Sequence, residues 1–175
     1  MRRLASFSLL ALAVAAIPLA CGDDDDDPSG PAAEEFRATL NGPNERPTPR
    51  ETPATGAATF TFRRDTLRWV VTMTGLTNMT AAHIHIGGAD VAGGILVDLV
   101  QSGPSNTRIE GLLAREDYTI PNGQTTTFDQ LLQLMRTGGV YVNVHTNNTA
   151  NDPTNNTGPG DFPAGEIRGQ IVSAP

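Results

Sequence analysis

From Phe36 onward the chain alternates apolar and polar residues in short runs, and almost nowhere keeps a helical period. Successive side chains of an extended strand point to opposite faces, so such alternation marks strands with one buried side. Phe36, Ala38 and Leu40 share a face of the first run; Ala58, Phe60 and Phe62 share a face of the second. A tight turn at 63–66 then leads into a partner run carrying Leu67, Trp69, Val71 and Met73 together, which places Trp69, the only tryptophan, in the core. Runs at 81–86, 95–100, 107–114, 140–145 and 165–171 read the same way, separated by segments rich in Gly, Pro, Asn and Thr. One segment differs: Phe128, Leu131, Leu132 and Met135 form a helical stripe behind Thr127 as cap, with Gln130 three residues later. Arg136 closes that stripe and Gly138-Gly139 follows, so one short helix is predicted near 127–136. The pattern predicts an all-β fold, a Greek-key immunoglobulin-like β-sandwich of about 7–8 strands with that single helix.

The first 34 residues have another character. Met1-Arg2-Arg3 precedes an apolar run from Leu4 to Ala16, too short for a membrane span, which reads as a signal peptide over 1–20. Cys21 is the only cysteine, and Pro18-Leu19-Ala20-Cys21 resembles a bacterial lipoprotein processing site. That resemblance implies lipid on Cys21 as the link to a membrane. It implies secretion across the inner membrane and anchoring to the cell envelope, in the periplasm, on the outer membrane or at the cell surface. Five aspartates, Asp23–Asp27, repel one another and stay solvated, so 21–34 is expected to be a disordered tether and 35–175 the folded domain. A lone cysteine permits no disulfide within the chain, so stability falls to core burial. Without Arg2 and Arg3, ten basic side chains, all arginine, stand against nineteen acidic ones. An acidic domain on an acidic tether argues against nucleic acid as a partner, because that affinity comes from cations on phosphates.

All three histidines lie in two alternating runs. His83 and His85 share the face opposite Ile84 and Ile86; His145 joins Tyr141 and Asn143 on the face opposite Val140, Val142 and Val144. A third run adds Glu166, Arg168 and Gln170 opposite Ile167 and Ile171. These residue types admit two readings. In one, the imidazoles bond Glu166, Asn143 or Thr146 in a network that staples the strands. In the other, His83, His85 and His145 hold copper or zinc, both of which imidazole suits. The His-x-His pair on a β-sandwich is similar to that of copper/zinc superoxide dismutase, but the further metal-binding His segment and the disulfide of that enzyme have no counterpart here. Nucleophile elbows, phosphate-binding glycine loops and a thiol in the mature chain are also missing, and only Asp161 and Glu166 suggest a carboxylate pair.

The blocks Ala81-Ala82-His83-Ile84-His85, Val140 to Thr146 and Gly165 to Ile171 resemble the signature of the CHRD (chordin-like) domain. Phe36 to Leu40, Asn44-Glu45-Arg46-Pro47 and the helix fit the same family. The resemblance spans about Glu35 to Val172, and implies a β-sandwich in an extracytoplasmic setting without a defined reaction. The segment 146–164 departs from it, being longer than is usual there, with five asparagines and no periodicity. It leaves from His145 and returns at Glu166, so it is placed to cover the polar face. The expected function is a non-enzymatic binding or interaction module for a protein, glycan or small ligand, with a copper- or zinc-binding protein as the alternative.

Overall fold

The structure, a computed structural model, describes residues 32–148 and 156–175. The signal segment, Cys21 and the aspartate run lie outside the described residues, as do 149–155 of the Asn-rich segment. The described chain is built of strands: β1 (Glu34–Asn41), β2 (Thr55–Arg63), β3 (Thr66–Thr74), β4 (Met79–Ile86), β5 (Ile95–Asp98) and β6 (Arg108–Ala114). One helix, α1 (Phe128–Thr137), precedes β7 (Val140–Thr146), β8 (Ile167–Gln170) and β9 (Val172–Ser173). The strands pair antiparallel in the order β5-β4-β7-β8-β1-β2-β3-β6, with β9 continuing beside β1 after β8 has ended. The all-β expectation with one short helix is therefore met, by a single sheet that curls over its own core into a sandwich-like body.

The alternation read from the sequence selects the face inside the curl. Phe36, Leu40, Phe60, Leu67, Trp69, Val71, Ile84, Val142, Val144 and Ile167 are all buried in one cluster. The indole nitrogen of Trp69 donates to Leu99 O at 3.1 Å, so its one polar atom is satisfied. Helix α1 adds Phe128, Leu131, Leu132 and Met135 to the same cluster. Its capping box is complete: Thr127 accepts from Gln130 N, and the Gln130 side chain accepts from Thr127 N. The helix ends at Gly138, whose left-handed backbone (φ 70°) disfavours any side chain. A two-pronged pair from Arg136 to Glu34 ties its last turn to the start of β1.

The strand order leaves β5 and β6 as the sheet edges, and they border a common groove beside Trp69. On β6 the Gln101 amide accepts from Leu112 N and donates to Leu112 O, at 3.1 and 2.7 Å. That side chain takes the place of a neighbouring strand and blunts an edge open to unwanted pairing.

On the other side of the sheet simple alternation fails. Tyr141, Asn143, Glu166 and Arg168 carry polar groups yet are as buried as the valines beside them. The segments at 43–53, 87–94 and 156–166 lie against that face. Arg168 donates to Gly88 O and Val91 O, Thr52 donates to Glu166, and Phe162 N donates to Thr146 Oγ1. The described end of the Asn-rich segment thus packs where the sequence placed it, with Asp161 and Phe162 buried.

Candidate metal centre

Strands β4 and β7 are direct neighbours, and their register sets the three histidines side by side. His83 stands opposite Asn143, His85 opposite Tyr141, and His145 opposite Ala81. His145 is therefore the diagonal neighbour of His83, a relation within reach of a ring. The His83 and His145 rings stand 4.9 Å apart, His83 and His85 5.5 Å, and His85 and His145 5.7 Å. One nitrogen from each ring lies within 4.8 Å of the other two.

Hydrogen bonds show which ring nitrogens are free to ligate. Nδ1 of His85 meets Gly93 O at 2.9 Å, and Nδ1 of His145 meets Pro163 O at 3.0 Å. A carbonyl only accepts, so both Nδ1 atoms carry the proton and both Nε2 atoms keep a lone pair. Backbone carbonyls holding the far nitrogen in this way are a usual outer support of metal-binding imidazoles. Nε2 of His145 faces Nδ1 of His83 at 3.1 Å, and with the proton on His83 this is a hydrogen bond. Nε2 of His85 is buried and has no partner among the described residues. A buried polar atom without a partner costs free energy and calls for an explanation. Zinc–nitrogen bonds of about 2.0–2.1 Å require ligating nitrogens about 3–4 Å apart, so small ring movements convert this triad into a metal cage.

The rings are held neutral. Burial lowers the pKa of His83 and His85, and each is lowered further by a neighbouring histidine. Burial brings His145 down to about 4, with His83 adding to the effect and the bond to Pro163 opposing it. Neutral imidazole is the form that binds metal.

Glu166, Asn143, Gln170 and Thr146 direct their hydrogen bonds away from the triad. Glu166 accepts from Thr52, from Thr146 at 2.6 Å and from Gly160 N at 2.8 Å. Asn143 donates to Ala164 O, and the Gln170 amide donates to the carbonyls of Gly87, Gly138 and Val140. Thr146 is spent on Glu166 and Phe162. The partners that the sequence offered to the imidazoles thus staple loops to the sheet instead. Asp161 turns to Thr157, whose backbone and hydroxyl both donate to it.

Two outer contacts shape the triad. Tyr141 stacks on His85 with ring centres 5.1 Å apart and planes 12° apart. The Arg168 guanidinium lies over the Tyr141 ring, 3.4 Å from its centre. Gly93 joins the two sides, since its carbonyl holds His85 while its N–H donates to the Tyr141 hydroxyl at 3.0 Å. A side chain at Gly93 would overlap the Ile86 carbonyl, so only glycine brings that carbonyl to His85. Sequence reasoning missed Gly93 and Pro163, because both act through backbone carbonyls, and Gly93 is one of several glycines in its loop. It also missed Glu45 as a buried group: burial raises its pKa to about 7, although Arg168 and Arg50 pull it down.

The model of the CHRD domain family matches residues 36–152, about two thirds of the chain. The chain is a CHRD-domain protein. No curated protein gives a significant match. The matched span holds His83, His85 and His145 together with the strands that carry them.

Proposed function

We propose that this CHRD domain is a non-enzymatic, extracytoplasmic metal-binding module that takes copper or zinc through Nδ1 of His83 and Nε2 of His85 and His145. Membership of the CHRD family is in keeping with an extracellular binding module. The wider range of ligands, a protein, a glycan or a small molecule, narrows here to an ion on one observation. One ring nitrogen from each histidine lies within 4.8 Å of the other two, and His85 Nε2 is buried without a partner among the described residues. Entry of the ion replaces the His83–His145 hydrogen bond, with the His83 proton moving to its outer nitrogen. The lone cysteine behind an apolar leader supports a lipid anchor on Cys21 and an envelope location. No helix among the described residues is long and apolar enough to cross a membrane.

Thermal melting of the purified chain with and without metal tests this reading. Free zinc or cupric ion at a hundredfold excess over its Kd is expected to stabilise the protein by about 2.7 kcal/mol. His85→Ala and His145→Ala should each abolish that gain. Equal stabilisation of wild type and both variants would place the ion elsewhere. The anchor is tested separately: full-length protein from a lipoprotein-processing host should partition into detergent, and Cys21→Ala should release it. Equal partitioning of the two forms would contradict lipidation.

A further inference from the structure

The charge around the triad distinguishes one ion from another. All three donors are neutral imidazoles, and both carbonyls behind them are neutral as well. A carboxylate among the donors or directly behind them would cancel part of a divalent charge, and neither is present at His85 or His145. The cost of taking an ion out of water grows with the square of its charge, so a divalent ion loses about four times as much as a monovalent one. The nearest buried cation adds to the difference. Arg168 lies against Tyr141, which lies against His85, so the guanidinium faces the triad through one aromatic ring. Asp98, the acid opposite His83 in β5, is exposed, so water and salt screen its charge, and its Oδ1 accepts from Val100 N. Glu45 lies beside Arg168 and is half-protonated near pH 7, so it only partly offsets the guanidinium.

We infer that the triad, taken as the metal centre proposed above, is built for monovalent copper rather than for zinc or cupric ion, and that Arg168 enforces the choice through its charge. Three neutral nitrogens satisfy a cuprous ion, which accepts low coordination and needs no anion to balance it. Zinc in the same cage would keep its full double charge beside a fixed guanidinium. A unit charge roughly 10 Å from the ion, at an effective dielectric of about 20, separates monovalent from divalent binding by about tenfold.

Competition titrations test the inference. The full chain carries Cys21→Ala throughout, so that no thiol competes for copper. Cuprous affinity is measured anaerobically, with ascorbate, against a chromogenic cuprous chelator. Zinc and cupric affinities are measured against chelators for those ions. The expected result is one cuprous ion per chain, bound at least about a hundredfold more tightly than zinc, with His85→Ala losing the site. Arg168→Gln should narrow that ratio by about tenfold, while Arg168→Lys, which keeps the charge and loses the clamp, should preserve it. Zinc or cupric ion bound as tightly as cuprous ion, and lost in His85→Ala, would overturn the cuprous preference while leaving the metal centre standing. Identical binding of every ion by wild type and His85→Ala would remove the centre itself. A ratio lowered equally by the Gln and Lys variants would overturn the role of the Arg168 charge.

Discussion

Glu45 and the histidines respond to acid in opposite directions, and single residues can separate the two. The Glu45 carboxyl is buried and its pKa stands near 7, above the ordinary 4.5, because burial outweighs Arg168 and Arg50. Its protonated form is the one the fold favours, so this contribution to stability is complete below pH 4.5 and is lost as pH rises through 7. His145 behaves oppositely. Its pKa falls from 6.5 to about 4, so its contribution is present above pH 6.5 and is lost as pH drops through 4. Comparison with Glu45→Gln isolates the carboxyl. Between about pH 8 and pH 5, wild type should gain about 2 kcal/mol relative to that variant in urea melts. A constant difference across that range would mean that Glu45 is not the group that titrates. For the triad itself, His83→Ala in metal-free protein should cost only about 1 kcal/mol, since it removes one hydrogen bond from a half-buried ring. A loss above about 3 kcal/mol would mark His83 as a structural staple instead.

Among the elements, α1 and β3 carry their instructions in the sequence. Thr127, Gln130 and Gly138 announced the helix ends, and each makes the contact its residue type favours. Thr127→Ala should therefore cost about 1 kcal/mol in thermal or urea melts, and an unchanged midpoint would mean the cap is idle. Trp69 sat on the apolar face of its run and is buried in the core, so Trp69→Ala should cost about 3–5 kcal/mol. A cost below about 1 kcal/mol would return Trp69 to the surface of the groove between β5 and β6. Period-two alternation reveals which side chains share a face, and it did so for His83, His85 and Tyr141. It does not reveal whether that face is buried, because the cover comes from loops distant in sequence. The carbonyls of Gly93 and Pro163 were invisible for the same reason: a glycine among other glycines and a loop proline do not say where their carbonyls point, and only a folded loop aims them. Diagonal placement of His145 beside His83 needed the β4–β7 register, which the sequence leaves open between several pairings.

Across the whole molecule, a sheet that curls over an apolar core leaves β4, β7 and β8 with a second, polar face, and three loops close over it. The triad lies under that cover while His83 and His145 keep partial exposure. This is the arrangement a binding site needs: donors fixed by rigid strands, neutral through burial, and reachable from outside. Metal-edge X-ray absorption on the full chain carrying Cys21→Ala, loaded with one equivalent of zinc, is the most direct test. The account predicts a first shell of nitrogen at about 2.0–2.1 Å, with outer-shell scattering from three imidazole rings that is lost in His85→Ala. A first shell of oxygen at about 2.0–2.2 Å without imidazole scattering, unchanged in His85→Ala, would contradict it and move the ion to the carboxylates.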